Sequence, residues 1–313
     1  MDKLLIDDPA LHASALAGLT ASPKTLEAKW FYDAAGSALF ERITELPEYY
    51  PTRTEAAILR AGTDRLAAAV PDDAALVELG SGASVKTRIL LDRLDHLAAY
   101  VPIDISATFL AQVAEGLRAA YPALPILPVT GDFMSPVTLP PRIADRPKVA
   151  FFPGSTIGNL EPADATALLA RIRDWPGIAR FILGVDLVKD PATLTAAYDD
   201  AAGVTAAFNL NLLHRLNREA GADFDPDGFA HEARWNADAA RIEMHLVSRH
   251  AQTVRLGDTE IAFAAGESIH TENSHKYTRD SLAGLAGVAG WRIADWMTDP
   301  DDLFAVSILE PAP

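Results

Sequence analysis

The sequence contains no cysteine, no long apolar run and no excess of basic residues. The lack of cysteine excludes a cysteine nucleophile, disulfide bonds and thiolate metal sites. No apolar run approaches the roughly 20 residues that a membrane-spanning helix needs, so we expect no membrane partner. With 27 basic and 43 acidic residues, the formal charge of −16 would repel a phosphate backbone, so we expect no nucleic-acid partner either.

The segment Met1–Asp8 lacks the apolar core of a signal peptide, so we expect a cytoplasmic protein. We also expect a monomer that acts on a small molecule. A hydrophobic content of 49% and a charged content of 22% are ordinary for a globular protein. The 313 residues are enough for one large domain or two modest ones.

From about residue 75 to 188, short apolar runs alternate with amphipathic ones. The amphipathic runs predict helices, for example Ala107–Ala120 and Ala163–Asp174. Strands that alternate with helices predict a parallel sheet with helices on both faces. The apolar runs predict these buried strands: Ala75–Leu79, Ala99–Ile103, Ile126–Val129, Val149–Phe152 and Phe181–Val185.

Glycines and polar residues follow the predicted strands, at the edge of a parallel sheet where ligands bind. The first strand ends in Gly80-Ser81-Gly82, and Asp104 ends the next. Glycines let the backbone approach a ligand, and a carboxylate accepts hydrogen bonds from ribose hydroxyls. The dinucleotide motif G-x-G-x-x-G is not completed, because Val85 stands at its third glycine. A cofactor with ribose and adenine but no phosphate fits better, and S-adenosylmethionine is such a cofactor.

The alternation stops after Val185. Residues 190–219 predict helix, and a β-rich stretch follows at Ala233–Trp235, Arg241–Arg249 and Glu260–Phe263. A helix at Arg279–Val288 then precedes two strands, Trp291–Trp296 and Phe304–Leu309. This strand pair would complete an α/β fold of class I methyltransferase type, a Rossmann-like seven-stranded sheet with a second, α+β substrate-binding domain. We expect the cofactor domain at 56–189 and 278–313, and the substrate domain at 1–55 and 190–277.

Several motifs along the chain, the longer ones outside the predicted sheet, make the comparison more specific. They are Lys29–Asp33, Leu46–Glu55, Leu79–Gly82, Gly154–Asn159, Ala202–Asn209 and Thr271–Lys276. With these motifs, the chain from about residue 25 to its C-terminus resembles the histidine Nα-methyltransferases of ergothioneine biosynthesis. Ala83 and Val85 depart from this pattern, because polar residues are expected there. The resemblance implies S-adenosylmethionine-dependent trimethylation of the α-amino group of L-histidine to hercynine.

The resemblance also implies which residues contact the cofactor. Asp104 would hold the ribose diol, Asp132 would accept from the adenine amino group, and Phe133 would offer an amide and an apolar edge. Lys86 would reach the methionine carboxylate or support the loop. The implied set is Gly80, Gly82, Lys86, Asp104, Asp132 and Phe133.

For the acceptor, the resemblance implies that Asn159 and Tyr198 hold the carboxylate end of histidine. Glu272 and Ser274 would recognise the imidazole; they lie two residues apart, so in an extended segment they face the same way. Tyr32 is the implied catalytic residue, near the reacting nitrogen as a hydrogen-bond acceptor or proton path. The implied acceptor set is Tyr49, Asn159, Tyr198, Glu272, Asn273 and Ser274.

The sequence matches two other kinds of site less well, a metal site and a hydrolase nucleophile. His245 and His250 are five residues apart, as are His270 and His275, so neither pair shares a strand face or a helix turn, and we expect no metal site. In Gly154-Ser155-Thr156-Ile157-Gly158 the serine directly follows the first glycine, so the nucleophile elbow G-x-S-x-G of hydrolases is not matched.

Two alternatives stay open. The enzyme could methylate another aromatic amine, such as tryptophan, although a polar residue at Glu272 favours imidazole. The chain could instead be a non-catalytic regulatory protein that binds S-adenosylmethionine. Such a regulator would not need the motifs of the second domain, and turnover with any acceptor would decide the point.

Overall fold

The computed structural model describes residues 6–82 and 84–313. Most of the N-terminal segment from which a cytoplasmic location is expected, and the departure from the family pattern at Ala83, lie outside these residues. Within the described residues, no helix combines the length and the apolar character needed to cross a membrane.

In the described part of the chain, helices alternate with strands through the middle and cluster at the N-terminus. The helices are α1 (Pro9–Thr20), α2 (Ala34–Thr44), α3 (Pro51–Ala61), α4 (Thr63–Ala69), α5 (Val85–Leu91), α6 (Ala107–Ala120), α7 (Pro162–Arg173), α8 (Pro191–Tyr198), α9 (Val204–Glu219) and α10 (Arg279–Val288).

The described strands range from two residues to nine. They are β1 (Lys24–Thr25), β2 (Ala75–Leu79), β3 (Ala99–Asp104), β4 (Val129–Thr130), β5 (Lys148–Phe152), β6 (Ile178–Asp186), β7 (Phe229–Asn236), β8 (Arg241–Ser248), β9 (Gln252–Leu256), β10 (Thr259–Phe263), β11 (Ser268–His275), β12 (Trp291–Thr298) and β13 (Phe304–Pro311).

The chain divides into two compact units. The small-sheet unit comprises Met1–Tyr50, of which residues 6–50 are described, and Lys189–His275. The large-sheet unit comprises Pro51–Val188 and Lys276–Pro313.

The large-sheet unit contains a seven-stranded sheet of order β12-β13-β6-β5-β2-β3-β4. Strands β2 to β6 pair in parallel, and β13 runs antiparallel to both of its neighbours. The chain builds the sheet outward from β2 through β3 and β4, then returns to the other side of β2 with β5. The order therefore reverses between β2 and β5, and in such sheets ligands bind outside the carboxyl ends of the strands at that point. The fold is the expected seven-stranded α/β methyltransferase type.

Both faces of this sheet are covered, which explains why its central strands are continuously apolar. Val77 and its same-face neighbours pack with residues of α7 and α10, including Leu168 and Leu282. Leu76 belongs to the cluster on the opposite face, with Leu59 of α3. Burial on both faces fixes the register of β2 and with it the position of the turn that follows.

Most predicted elements of this unit are confirmed, and one is wrong. Strand β2 and helices α6 and α10 have the predicted bounds. The buried strand predicted at Ile126–Val129 is reduced to β4, Val129–Thr130, and Ile126 makes only an isolated bridge to Tyr100. The β4 strand lies at the edge of the sheet, where a neighbour on one side only supports less regular pairing.

The small-sheet unit contains a four-stranded sheet, of order β1-β11-β8-β7, and the antiparallel pair β9–β10. Strand β8 pairs antiparallel with both β7 and β11. Helices α8 and α9 pack on this sheet. Strand β9 was not predicted, because its sequence Gln252-Thr253-Val254-Arg255-Leu256 is half polar; its apolar residues alternate and are buried.

Candidate active site

The turn after β2 takes a backbone shape that favours glycine. Gly80 has φ +64° and Gly82 has φ +48°, both in the left-handed region. A Cβ on Gly80 would lie 3.3 Å from Cε1 of Phe133, so the Phe133 ring packs directly against the glycine. The turn and this ring, both in the large-sheet unit, thus form one cradle.

Asp104 ends β3 beside the same turn. Its Oδ2 accepts a hydrogen bond from the backbone N–H of Gly82 (3.1 Å), and its Oδ1 accepts from that of Ser106 (2.9 Å). A carboxylate has about four acceptor sites, so these two bonds fix its orientation and leave capacity for a diol. The geometry fits the ribose-binding role implied by the sequence.

Asp132 and Phe133 follow β4 on a tight turn. The Asp132 carboxylate accepts from the backbone N–H of Met134 (2.8 Å) and is exposed. The Phe133 ring packs edge to face on Phe152, with centroids 5.2 Å apart, and Arg171 donates to the Phe133 carbonyl (2.6 Å). These contacts fix the residues that are expected to face adenine.

A buried carboxyl group precedes the turn by two residues. Glu78 in β2 is 1% exposed and accepts hydrogen bonds from Thr87 Oγ1 (2.5 Å) and from the Tyr100 hydroxyl. Burial raises the pKa of Glu78 to about 8, although both hydrogen bonds oppose that rise. The group is therefore mainly protonated at neutral pH.

Lys86 lies in the first turn of α5, with 16% of its side chain exposed. Its Nζ donates to Oε2 of Glu55, 2.5 Å away in the same unit. The sequence singled out the segment that contains Glu55 but assigned the residue no role. Together, the cradle, the Asp104 carboxylate and the Lys86 ammonium fit a cofactor that carries a nucleoside and an anionic tail.

In the small-sheet unit, three of the predicted acceptor residues lie together. The Tyr198 hydroxyl and Ser274 Oγ are 2.7 Å apart, and the rings of Tyr49 and Tyr198 pack edge to face with centroids 6.1 Å apart. Glu272 shares the Ser274 face of β11, because residues two apart on a strand point the same way.

Tyr32 belongs to an aromatic cluster beside these residues. Its ring packs edge to face with Phe40 (5.8 Å between centroids) and Phe208 (5.9 Å). The pKa of its hydroxyl is raised well above the ordinary value, first by desolvation and then by the charge of Glu272. The residue keeps 43% of its surface exposed. Tyr32 is therefore a neutral hydroxyl at physiological pH.

The segment that carries Tyr32 is held by its neighbour Asp33. The Asp33 side chain caps α2 by accepting from the backbone N–H of Gly36 (2.7 Å). It also accepts from Asn211 (2.9 Å) and Arg218 (2.6 Å), both on α9. This explains why an aspartate follows the aromatic run Trp30-Phe31-Tyr32.

A hydrogen-bond network that the sequence did not reveal supports Tyr198 and the start of the Glu272 segment. Asn209 Nδ2 donates to Nδ1 of His231 (2.9 Å), so the proton of this imidazole is on Nε2, which donates to the Tyr198 carbonyl (2.7 Å). Burial lowers the pKa of His231, which keeps it neutral. Thr271 donates to Oδ1 of Asn209 (2.8 Å). Asn209 is fully buried, and its place between Phe208 and Leu210 was the available signal in the sequence.

Two further predicted acceptor residues are Asn273 and Asn159. Asn273 stands between Glu272 and Ser274 on regular strand, opposite Glu243, so its side chain points to the other face of β11. Asn159 ends a 3-10 turn, Thr156–Asn159, in the large-sheet unit and is half-buried. The structure thus does not bring the Asn273 side chain together with those of Glu272 and Ser274.

The sequence argument against a metal site considered only histidines close together in the chain, and it missed a pair that meets across two strands. His245 on β8 lies opposite His270 on β11, and with Glu243 they place ligand atoms within 4.8 Å of one another. The two rings are stacked nearly parallel, however, at 17° with centroids 4.8 Å apart, so lone pairs in the ring planes do not converge on one ion. Glu243 also accepts from Arg241 (2.8 Å) and Asn236 (2.9 Å). The cluster fits a hydrogen-bonded ion-pair network better than a metal centre.

Comparison with known proteins gives a family. The family model described as "Histidine-specific methyltransferase, SAM-dependent" matches residues 11–311. A histidine N-alpha-methyltransferase of Mycolicibacterium smegmatis is 49% identical over 306 residues, which cover 96% of this chain and 94% of that protein. A protein of the same name from Mycobacterium tuberculosis is 46% identical over 308 residues, again covering 96% and 94%.

A fungal relative extends the comparison to a larger protein. Ergothioneine biosynthesis protein 1 of Neurospora crassa is 30% identical over 298 residues, which cover 86% of this chain and 32% of that protein.

Proposed function

Because the chain belongs to the family of histidine-specific, S-adenosylmethionine-dependent methyltransferases, we propose that it trimethylates the α-amino nitrogen of L-histidine. The product is hercynine, and the reaction is the first step of ergothioneine biosynthesis. The observation that carries this proposal is the near-full-length identity of 49% to a relative named for this activity.

The large-sheet unit supplies the cofactor side of the reaction. When bound, S-adenosylmethionine supplies an electrophilic methyl group on a sulfonium. Asp104, oriented by the Gly82 and Ser106 amides, would accept from the ribose diol. Asp132 and Phe133 would hold the adenine, and Lys86 would hold the anionic tail.

The small-sheet unit supplies imidazole recognition. Glu272 and Ser274 share a strand face, and a carboxylate with a hydroxyl can pair with the two imidazole nitrogens. A hydrogen bond to a charged group contributes about 1.5–3 kcal/mol. An acceptor without ring nitrogens would leave Glu272 desolvated without its partner, which is how such a site rejects an analogue.

The amine must be neutral to attack, and a free α-amino group has a pKa of about 8. Tyr32 stays protonated, so its hydroxyl oxygen can accept a hydrogen bond from the amine but does not act as a phenolate base. Catalysis then rests mainly on positioning the nitrogen in line with the transferred methyl. The aromatic faces of Tyr32 and Phe40 suit the cationic product.

Incubation with S-adenosylmethionine and three separate acceptors, followed by mass spectrometry, tests the proposal. The acceptors are L-histidine, Nα-acetyl-L-histidine, whose amine is blocked, and L-tryptophan, which lacks the imidazole. We expect a gain of three methyl groups on histidine alone. Methylated tryptophan without methylated histidine would favour another aromatic amine as substrate. No product from any acceptor, with cofactor still bound, would favour a regulatory protein.

The oligomeric state and location belong to the same proposal. We infer that the protein acts as a cytoplasmic monomer on its small-molecule substrate. Size-exclusion chromatography with light scattering tests the first point, and a dimer mass would contradict it.

A further inference from the structure

Glu55 on α3 is a fully buried carboxylate, with 0% of its surface exposed. Its Oε1 and Oε2 both accept from the backbone N–H of Gly154, at 3.0 and 2.8 Å. Its Oε2 also accepts from Lys86 Nζ at 2.5 Å. A charge removed from water in this way is retained only where its partners compensate it.

The two partners of Glu55 stand on either side of the point where the strand order reverses. Lys86 lies in α5, which follows β2, and Gly154 follows β5, the parallel neighbour of β2. Ligands bind at the carboxyl ends of strands at such a point. One carboxylate thus joins the segment expected to contact the cofactor to the loop Gly154–Asn159, whose last residue is expected to contact the acceptor.

The backbone is shaped to admit this carboxylate. A Cβ on Gly184 of β6 would overlap the Glu55 carboxylate, so the strand carries glycine where Glu55 approaches. Gly154 has φ +82°, in the region that favours glycine, and its N–H donates to Glu55. A Cβ at this position would lie 3.4 Å from Lys86 Nζ. Glycine inside a strand weakens it, so close approach by Glu55 accounts for an otherwise unfavourable residue.

We propose that Glu55 is a positioning residue that orients the Lys86 ammonium toward the carboxylate of the cofactor and fixes the Gly154–Asn159 loop for the acceptor. This inference rests on the proposed function. Glu55 directs one of the three ammonium protons of Lys86 to itself and thereby aims the other two. Lys86 then acts as an oriented donor rather than a mobile charge.

The test is a double-mutant cycle on cofactor binding, measured by calorimetry with S-adenosylhomocysteine and no acceptor. Glu55→Gln can still accept from Gly154 but loses the ionic bond to Lys86. We expect E55Q and K86M each to weaken S-adenosylhomocysteine binding at least tenfold, and the double variant to bind within twofold of K86M. Additive losses in the double variant, or unchanged binding by folded E55Q, would overturn the proposal.

A matched control separates positioning from stability. Lys148 is a buried charge at the opposite end of β5, where its Nζ donates to the carbonyls of Ala144, Arg146 and Pro176. Lys148→Met should lower the melting temperature but leave the dissociation constant unchanged. An equal loss of S-adenosylhomocysteine affinity in K148M would mean that Glu55 is merely structural.

One further variant and one further measurement complete the experiment. If E55Q does not fold, Lys86→Arg keeps the charge but changes its geometry, and unchanged affinity in K86R would contradict the proposal. The KM for histidine should rise in E55Q, because the Gly154–Asn159 loop would be held less firmly for the acceptor. Because the calorimetric arm needs no acceptor, coupling between Glu55 and Lys86 would persist even if histidine proved to be the wrong substrate.

Discussion

The two units use their buried polar groups differently. In the large-sheet unit, Asp186 and Lys276 form an ion pair at 2.7 Å, with 1% and 0% of their side chains exposed. Glu78, two residues before the glycine turn, is also buried. In the small-sheet unit, Tyr198 and Ser274 pair beside the half-buried Glu272. The comparison teaches that substitutions at Asp186, Lys276 and Glu78 should cost folding stability, whereas substitutions at Tyr198 and Glu272 should cost acceptor recognition.

The largest effect on folding stability in the large-sheet unit is expected for Lys276→Met. This change leaves the Asp186 carboxylate buried without its cation, so the free energy of unfolding should fall by about 3–5 kcal/mol, measured by urea denaturation. The matched control is Arg65→Met, which removes an exposed ion pair to Asp295 in the same unit and should cost at most about 1 kcal/mol. Equal losses would remove the distinction between buried and exposed pairs.

Glu78→Gln tests the same stability claim through its dependence on pH. The folded pKa of about 8 lies above the ordinary value of 4.5, so folding favours the protonated form. Glu78 therefore contributes most at low pH, and this contribution is lost as pH rises from 4.5 toward 8. From pH 5.5 to pH 7.5, the free energy of unfolding of the wild type should fall by about 2–3 kcal/mol relative to that of E78Q, as measured by urea denaturation at each pH.

Glu115 on α6 is exposed and provides the control for this experiment. The Glu115→Gln variant should follow the wild-type pH dependence. Parallel curves for the wild type and E78Q would show that Glu78 titrates normally in the folded state.

Glu272→Gln tests the claim that a polar group of the small-sheet unit serves acceptor recognition. Loss of a charge-assisted hydrogen bond worth about 1.5–3 kcal/mol should lower kcat/KM for histidine roughly 10–150-fold. The melting temperature and S-adenosylhomocysteine affinity should stay unchanged, because Glu272 is only half-buried and lies in the other unit. The control is the exposed Glu260→Gln of β10. A large stability loss in E272Q with normal kcat/KM would break the comparison.

The smallest expected effect is that of Tyr198→Phe. Removing the hydroxyl that pairs with Ser274 forfeits about 0.5–1.5 kcal/mol, so KM for histidine should rise roughly 2–12-fold. Tyr121→Phe in the large-sheet unit removes a hydrogen bond to Asp92 and should leave KM unchanged. Equal KM values for both variants would show that the Tyr198 hydroxyl does not support the acceptor site.

The same difference explains what could be predicted from the sequence. Strand β2, the turn at Gly80 and Gly82, and the seven-stranded architecture follow from local patterns, since burial on both faces gives apolar runs and a tight turn requires glycine. The family motifs supplied the remaining site residues.

Long-range pairs escaped prediction. Glu55 meets Gly154 from 99 positions away, and His245 meets His270 across two strands whose register depends on a bulge near Thr271. No local pattern in either segment encodes its partner. Asn273 was grouped with Glu272 and Ser274 by motif, whereas strand alternation places its side chain on the opposite face.

The most direct test of the central claim is NMR spectroscopy of the product formed from L-histidine and S-adenosylmethionine labelled with ¹³C in its methyl group. The account predicts one labelled trimethylammonium signal that correlates with the α-carbon of histidine. Labelled methyl signals that correlate with the imidazole ring, or none on histidine at all, would contradict it.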